Sequence, residues 1–445
     1  MNTTVWLSQV QSLVSLGFIS LFLVLELGLV WALLLFKIAN HFTQGNAWML
    51  AYRFWVRVYA LAAIVGLAAC VPLLIQVGSL WPGLLDRIGD VSGPLLAAAI
   101  LTTFVVKSCF TGAMLFAQRG LSDLAHTGVV LMVALGTTLA VFWALSLFGW
   151  MQTPAGVGFL NGKYYVTNWY EVVFNPSAGW LLLLALSVSG MTVAFLMLGV
   201  TARKAASLPA DDSARHIFRT GIVTGLLSVL VFAVAIAGYG RLVTEHQPAK
   251  AAATSAYWQS NTPADLPLIG WPDERESRTR GEVSWPEAGT RWLGHDNAGN
   301  PLGLDRFSGM HPPVALTFWS FRLTVIVSVL MVIAACGGMW CMRRKYIEHG
   351  DMPAGWRHMF SGLTMLGWLA TVALVCHVLA GLAPFVVNQT VTFLEVAASV
   401  KPMHLVFGIA AHLVVYAVLL AGFFHLLRHG MQYGVVPVAR RRGRA

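Results

Sequence analysis

Val133-Ala134-Leu135-Gly136 opens an apolar run that closes at Gly149-Trp150-Met151-Gln152-Thr153-Pro154, and Phe174-Asn175-Pro176-Ser177-Ala178 leads into the next one. No charged residue lies between Val133 and Leu147. A helix of that composition belongs in a bilayer or a deep core. Its end is well marked: proline cannot continue a helix, and a tryptophan beside glycine suits the zone where hydrocarbon meets water. The intervening stretch is too polar to span, so it reads as an extended loop joining two membrane helices.

The rest of the chain agrees. Of its 445 residues 57% are hydrophobic and 11% charged, against about 25% charged in soluble domains. A span needs about 20 apolar residues to cross roughly 30 Å of hydrocarbon. Nine runs reach that length, near 12–36, 54–77, 95–117, 127–148, 180–202, 218–240, 315–342, 361–385 and 403–427. The expected fold is therefore all-α, a polytopic bundle of nine transmembrane helices. The first run lacks a basic flank and a small-residue cleavage site, and reads as a retained helix. The net charge of +10 sits mostly in short connections, which argues for a membrane protein and against a nucleic-acid partner. Lys37, Arg53, Arg57, Arg119, Arg203, Lys204, Arg215, Arg219, Arg343, Arg344, Lys345, Arg357 and Arg440-Arg441-Arg442 fall on one side. That side is expected to be cytoplasmic, with the N-terminus outside and the C-terminus inside.

Four segments follow. Residues 1–241 hold helices one to six, 242–314 form an outer insertion, 315–430 hold helices seven to nine, and 431–445 are a basic cytoplasmic tail. The glycines of 78–94 suggest a tight irregular loop between the second and third helices. None of the five cysteines belongs to a Cys-x-x-Cys, so covalent haem attachment and a zinc site are not expected. Two charges stand at mid-span, Glu26 in the first helix and Lys107 in the third. A charge at the bilayer centre costs about 2.5–3.5 kcal/mol or more unless it faces a partner or an internal cavity. The two are expected to face each other. A cavity or a partner subunit for one of them is the alternative.

These stretches resemble subunit I of the cytochrome bd-type quinol oxidases. The resemblance is carried by Gly149, Trp150 and Gln152, by Phe174-Asn175-Pro176, and by Trp81 with Gly89-Asp90. It extends to Lys250 and Trp258 with the later Gly270-Trp271-Pro272-Asp273, and to Phe321-Arg322. It implies a respiratory electron-transport subunit with an outer quinol-binding loop, in which Lys250, Trp258 and Arg322 are the quinol candidates. Lipid phosphate is the other partner that Lys250 and Arg322 could reach. The family's loop glutamate falls on Ser255.

The resemblance also implies haem ligands, and the positions carrying them hold other residues here. They fall on Ile19, on Leu184 or Ala185, on Thr324 and on Leu379; a nearby arginine falls on Leu382, and two carboxylates on Ala99 and Lys107. Aliphatic side chains cannot ligate iron. No catalytic residue and no metal ligand is therefore expected in this chain. The expected role is a haem-free or haem-depleted partner, with haem in a ligand-bearing subunit I paralogue; a subunit II-like chain is the other partner. It would be a component of a quinol:oxygen oxidoreductase complex without being catalytic itself. His377 and His412, at similar depth on the last two helices, are the one pair that could clamp a b-type haem. Hydrogen bonding of each to the backbone is the plainer reading. Two other classes remain: a quinone-binding anchor of another electron-transfer complex, and a carrier or channel lined by Glu26 and Lys107.

Overall fold

A computed structural model describes residues 3–43, 46–204, 212–260, 262–307, 309–349 and 351–433. Among them nine helices are long and apolar enough to cross a bilayer, matching the nine runs. They are α1 (Thr3–Phe42), α2 (Ala47–Leu80), α3 (Pro82–Phe116), α4 (Asp123–Gln152), α5 (Ala178–Lys204), α6 (Asp212–His246), α7 (Val314–Arg343), α8 (Ala354–Ala380) and α9 (Pro402–Tyr433). Helices α1 and α5 are the most enclosed, while α3 and α9 present most of their surface outward. The arrangement follows from side-chain character. Phe18, Phe22, Leu29 and Leu33 of α1, Leu184, Val188 and Met191 of α5, and Val327 and Met331 of α7 all enter one apolar core. The outward faces of α7 and α9 remain apolar, as lipid requires.

Helix α3 begins earlier than the glycines of 78–94 suggest. Only Trp81 separates it from α2, and Pro82 stands in its first turn. The segment stays helical through Gly89, Gly93 and Pro94 because Ile88, Val91 and Leu95 pack into a second core, together with Trp81, Trp150 and Val172. Tertiary burial overrides the glycine signal here. Further along, Val106–Thr111 is a π-helical turn. An extra residue in one turn slips the side-chain register by roughly 100°. Gly136 of α4 makes room for it: a β-carbon there would lie 2.3 Å from Val106 Cγ2.

The α4–α5 connection holds a hairpin, β1 (Val157–Leu160) with β2 (Lys163–Val166). After α6 the chain forms a short helix, Pro248–Ser255, ended by Ala256 in the left-handed conformation. A second hairpin follows, β3 (Leu266–Asp273) with β4 (Arg278–Trp285). Helix α6 runs to His246, a few residues into the segment read as insertion. Of the tail read at 431–445, residues 434–445 lie outside the described residues.

Candidate functional site

Two polar clusters interrupt the apolar interior. The first is at mid-membrane. Lys107 Nζ donates to Glu26 Oε2 as an ion pair in which Glu26 is buried and Lys107 partly exposed, and the ammonium also lies 5.7 Å from the Tyr59 ring centroid. Each neighbour has a reason to be there. The π turn carries Lys107, Gly66 of α2 leaves space beside Glu26 Oε1, and Tyr59 offers a π face to the cation. The pairing expected from the sequence is present.

The second cluster lies at the end of the bundle that carries the insertion. Lys250 is fully enclosed. Its Nζ donates to Tyr239 Oη at 2.7 Å and to the Val378 carbonyl at 3.3 Å. Tyr239 Oη donates to Gln152 Oε1 at 2.5 Å, and Gln152 Nε2 donates back to the Phe148 carbonyl at 3.2 Å. The glutamine of the Gly-Trp-Met-Gln helix end is thus joined, through a tyrosine of α6, to the lysine that opens the insertion. Burial pulls the Lys250 ammonium down to about 7, since a low-dielectric site disfavours the charged form. Gly381 permits the approach: a β-carbon there would stand 2.6 Å from Lys250 Cε.

The rest of that helix end is a clasp. A β-carbon on Gly149 would lie 2.6 Å from Asn175 Oδ1. The Asn175 amide donates to the Ser146 and Val172 carbonyls, both at 2.9 Å, while its oxygen accepts from the Ala178 N–H at 3.0 Å. Trp150 Nε1 donates to the Ala155 carbonyl at 3.2 Å. These contacts explain why Gly149, Trp150 and Asn175 stand where they do.

Arg322, near the start of α7, bridges three pieces of chain. Its guanidinium donates to the Thr254 carbonyl at 2.8 Å, to the Leu268 carbonyl at 3.0 Å and to the Pro267 carbonyl. It also covers the Phe318 ring. Both candidate cations are therefore buried and bonded to protein groups, which disfavours lipid phosphate as their partner. Trp258 Nε1 donates to Thr279 Oγ1 at 3.1 Å. It borders a cavity of about 310 Å³ that is also lined by Asp265, Pro267, Glu282 and Ser284. Lys250 and Trp258 thus stand on the insertion, and Arg322, on α7, binds it at Thr254, Pro267 and Leu268. Tyr239 was missed by sequence reasoning, although its place between Gly238 and Gly240 marks a crowded turn of α6: a β-carbon at Gly238 would strike Trp180.

His377 and His412 are not brought together by any hydrogen bond or ring contact among the described residues. His377 Nδ1 lies 3.4 Å from the Thr317 carbonyl of α7, with Phe321 beside it. His412 Nδ1 lies 2.6 Å from the Gly408 carbonyl and 3.4 Å from Gln11 Nε2 of α1. Of the positions expected to carry ligands, Leu184 is buried in the apolar core with Val188, Val327 and Val378. Thr324 Oγ1 donates to the Ser320 carbonyl. No group of three or more His, Cys, Asp or Glu able to hold a metal ion occurs among the described residues.

Comparison with known proteins is consistent across the chain. The family described as "Cytochrome bd terminal oxidase subunit I" matches residues 7–435. The chain is 26% identical to cytochrome bd ubiquinol oxidase subunit 1 of Bacillus subtilis over 428 residues, covering 93% of this chain and 90% of that one. It is 27% identical to cytochrome bd-II ubiquinol oxidase subunit 1 of Escherichia coli over 261 residues, 58% of this chain and 51% of that one. Its fold matches the structure of bd oxidase from Geobacillus thermodenitrificans with a TM-score of 0.83 at 21% identity, covering 98% of this chain and 100% of that chain. With nine spans, a clasped α4–α5 junction and a match over nearly its whole length, the chain belongs to the cytochrome bd terminal oxidase subunit I family, as a multi-pass membrane protein of the respiratory chain.

Proposed function

We propose that this chain is a haem-depleted subunit I-like partner, working beside a ligand-bearing subunit I paralogue or a subunit II-like chain that carries the oxygen chemistry. The observation that carries the reading is Leu184. It is one of the two positions, with Ala185, where the family resemblance puts an axial histidine, and its side chain is buried in the apolar core that also holds Val188, Val327 and Val378. An isobutyl group offers iron no lone pair, and neither does the methyl of Ala185. Thr324 faces a carbonyl of its own helix, and Ile19 and Leu379 pack against the same core. The residues present do not fit a haem at those positions. His377 and His412 each face a different helix, which favours the plainer reading of both.

In this reading the protein keeps the scaffold. Glu26 and Lys107 neutralise each other, which leaves neither free to line a pathway for a carried ion. Lys250 and Arg322 hold the insertion onto the bundle. The orientation inferred from the basic connections puts that insertion outside and the tail in the cytoplasm. The complex isolated through an affinity tag on this chain should contain a second chain with His, Met and Glu ligands, and haem should follow that second chain when the two are separated. Haem that stays with the tagged chain would overturn the proposal.

A second reading rests on the cavity beside Trp258. Asp265 and Glu282 could accept hydrogen bonds there from the two hydroxyls of a quinol head. Titration of the complex with a quinone analogue tests it. Binding should weaken in Trp258→Ala, and equal binding to both forms would remove it.

A further inference from the structure

The β3–β4 hairpin carries an apolar face that is largely exposed among the described residues. Ile269 and Val283 are cross-strand partners, and Trp271 stands opposite Arg280. Ile269, Trp271 and Val283 are 55%, 64% and 61% exposed, and Trp285, at the strand end, is 62% exposed. In a hairpin surrounded by water such a face would be a liability.

The position of the hairpin along α7 says what surrounds it. Trp340, half exposed and stacked under the Arg344 guanidinium, marks the polar boundary at the tail end of that helix. The lipid-facing side chains Val325, Ile326, Val329, Leu330 and Ile333 lie between it and the insertion end. Counting about 20 residues from Trp340, enough for roughly 30 Å of hydrocarbon, puts the opposite boundary near Ser320. Strand β3 is fixed at that level. Arg322 holds the Pro267 and Leu268 carbonyls, and the Trp271 ring lies 6.1 Å from that of Trp319. The turn is tied to the start of α7 as well, where Glu274 Oε1 accepts from the Val314 N–H at 2.7 Å, so the hairpin is held along the first turns of that helix, at the depth where tryptophans meet lipid headgroups.

We infer that the β3–β4 hairpin is an interfacial anchor whose Ile269, Trp271 and Val283 face inserts into the headgroup boundary of the leaflet on the insertion side. The occupant of this surface is the bilayer itself, continuous with the lipid-facing side of α7. Exposed aromatic and branched side chains at the boundary suit that depth, and the charged turn at Asp273–Arg278 would remain in water. Because Arg322 ties the short helix Pro248–Ser255, at the Thr254 carbonyl, to the Pro267 and Leu268 carbonyls of the strand, lipid contact would steady the subdomain that holds Trp258 and its cavity.

The test uses the full chain with its usual partner in lipid nanodiscs, with the five native cysteines replaced and nitroxides attached singly at 269, 283 and, as a water-facing control, 276. All three sites are on the hairpin surface, so labelling does not disturb the core. Collisions with oxygen, which concentrates in lipid, are compared with those of a water-soluble nickel chelate. The oxygen-to-nickel ratio at 269 and 283 should exceed that at 276 several-fold. Equal ratios at all three would place the face in water and overturn the inference. Exclusion of both reagents at 269 and 283 would show a protein partner on the face, and would overturn it as well. On the unmodified protein, a photoactivatable lipid should label the peptide containing 266–285, and its absence from the labelled peptides would count against the anchor.

Discussion

Replacing Glu26 by glutamine removes one charge from the centre of the membrane and strands the other. The Lys107 ammonium would keep Tyr59 beside it and lose its carboxylate partner. It cannot reach the headgroups by extending. Lys107 stands nine residues before the end of α3 at Phe116, about 13 Å at 1.5 Å per residue, more than a lysine stem can span. Insertion scales set the cost of a lone central charge at about 2.5–3.5 kcal/mol; breaking a fully buried pair by removing one partner costs about 3–5 kcal/mol, an upper bound here because Lys107 is partly exposed. We therefore expect Glu26→Gln to lose about 3 kcal/mol. The Glu26→Gln/Lys107→Met double variant, which leaves no charge unpaired, should recover most of that. Reversible unfolding in mixed micelles reads each variant, and the double-mutant cycle isolates the coupling, expected at about 2–3 kcal/mol. Additive effects, with a coupling below about 0.5 kcal/mol, would show that the two side chains do not stabilise one another and would refute the reasoning.

Three further outcomes follow from the insertion end. Lys250 is held near 7 when folded and titrates near 10.5 when unfolded. The unfolded chain therefore binds more protons between those values, and attachment of the insertion should strengthen as pH rises from about 7 towards 10. Limited proteolysis of the insertion should slow over that range, and Lys250→Met should flatten the dependence. Arg322→Leu leaves the Thr254, Pro267 and Leu268 carbonyls without their donor, so cleavage within 256–285 should accelerate, and Arg322→Lys should not rescue it, because a single ammonium cannot span three carbonyls; wild-type cleavage rates in the leucine variant would contradict the bridging role. Gly149→Ala drives a methyl against Asn175 Oδ1, with an expected loss of about 1–3 kcal/mol in thermal unfolding in detergent; an unchanged midpoint would show that the clasp tolerates the extra volume.

The nine spans were legible because each apolar run exceeds what a bilayer demands, and that signal needs no tertiary knowledge. The Glu26–Lys107 pair was legible for a related reason: a mid-bilayer charge has few physical options, so two of them at one depth constrain each other. The motif glycine and tryptophan were readable as a helix end, but their clasp with Asn175 depends on how α4 and α5 cross. The Lys250–Tyr239–Gln152 chain was not legible. Tyr239 sits in an apolar run like any core aromatic, and only the rotation of α6 turns its hydroxyl toward Gln152. The same lack of rotational information defeats depth arguments for His377 and His412, whose rings address α7 and α1. The helical stretch through Gly89 and Pro94 was misread because packing against Trp81 and Val172 outweighs local propensity. The π turn left no compositional trace at all.

The proposed haem-depleted role requires that iron porphyrin have no seat in this polypeptide, with Ile19, Leu184 or Ala185, Thr324 and Leu379 at the positions where the family resemblance implies ligands. The direct measurement is haem quantified as its pyridine complex in the isolated, natively folded chain, freed of its partner and set against protein concentration. We expect far less than one haem per chain. One or more per chain, retained through gel filtration, would contradict it.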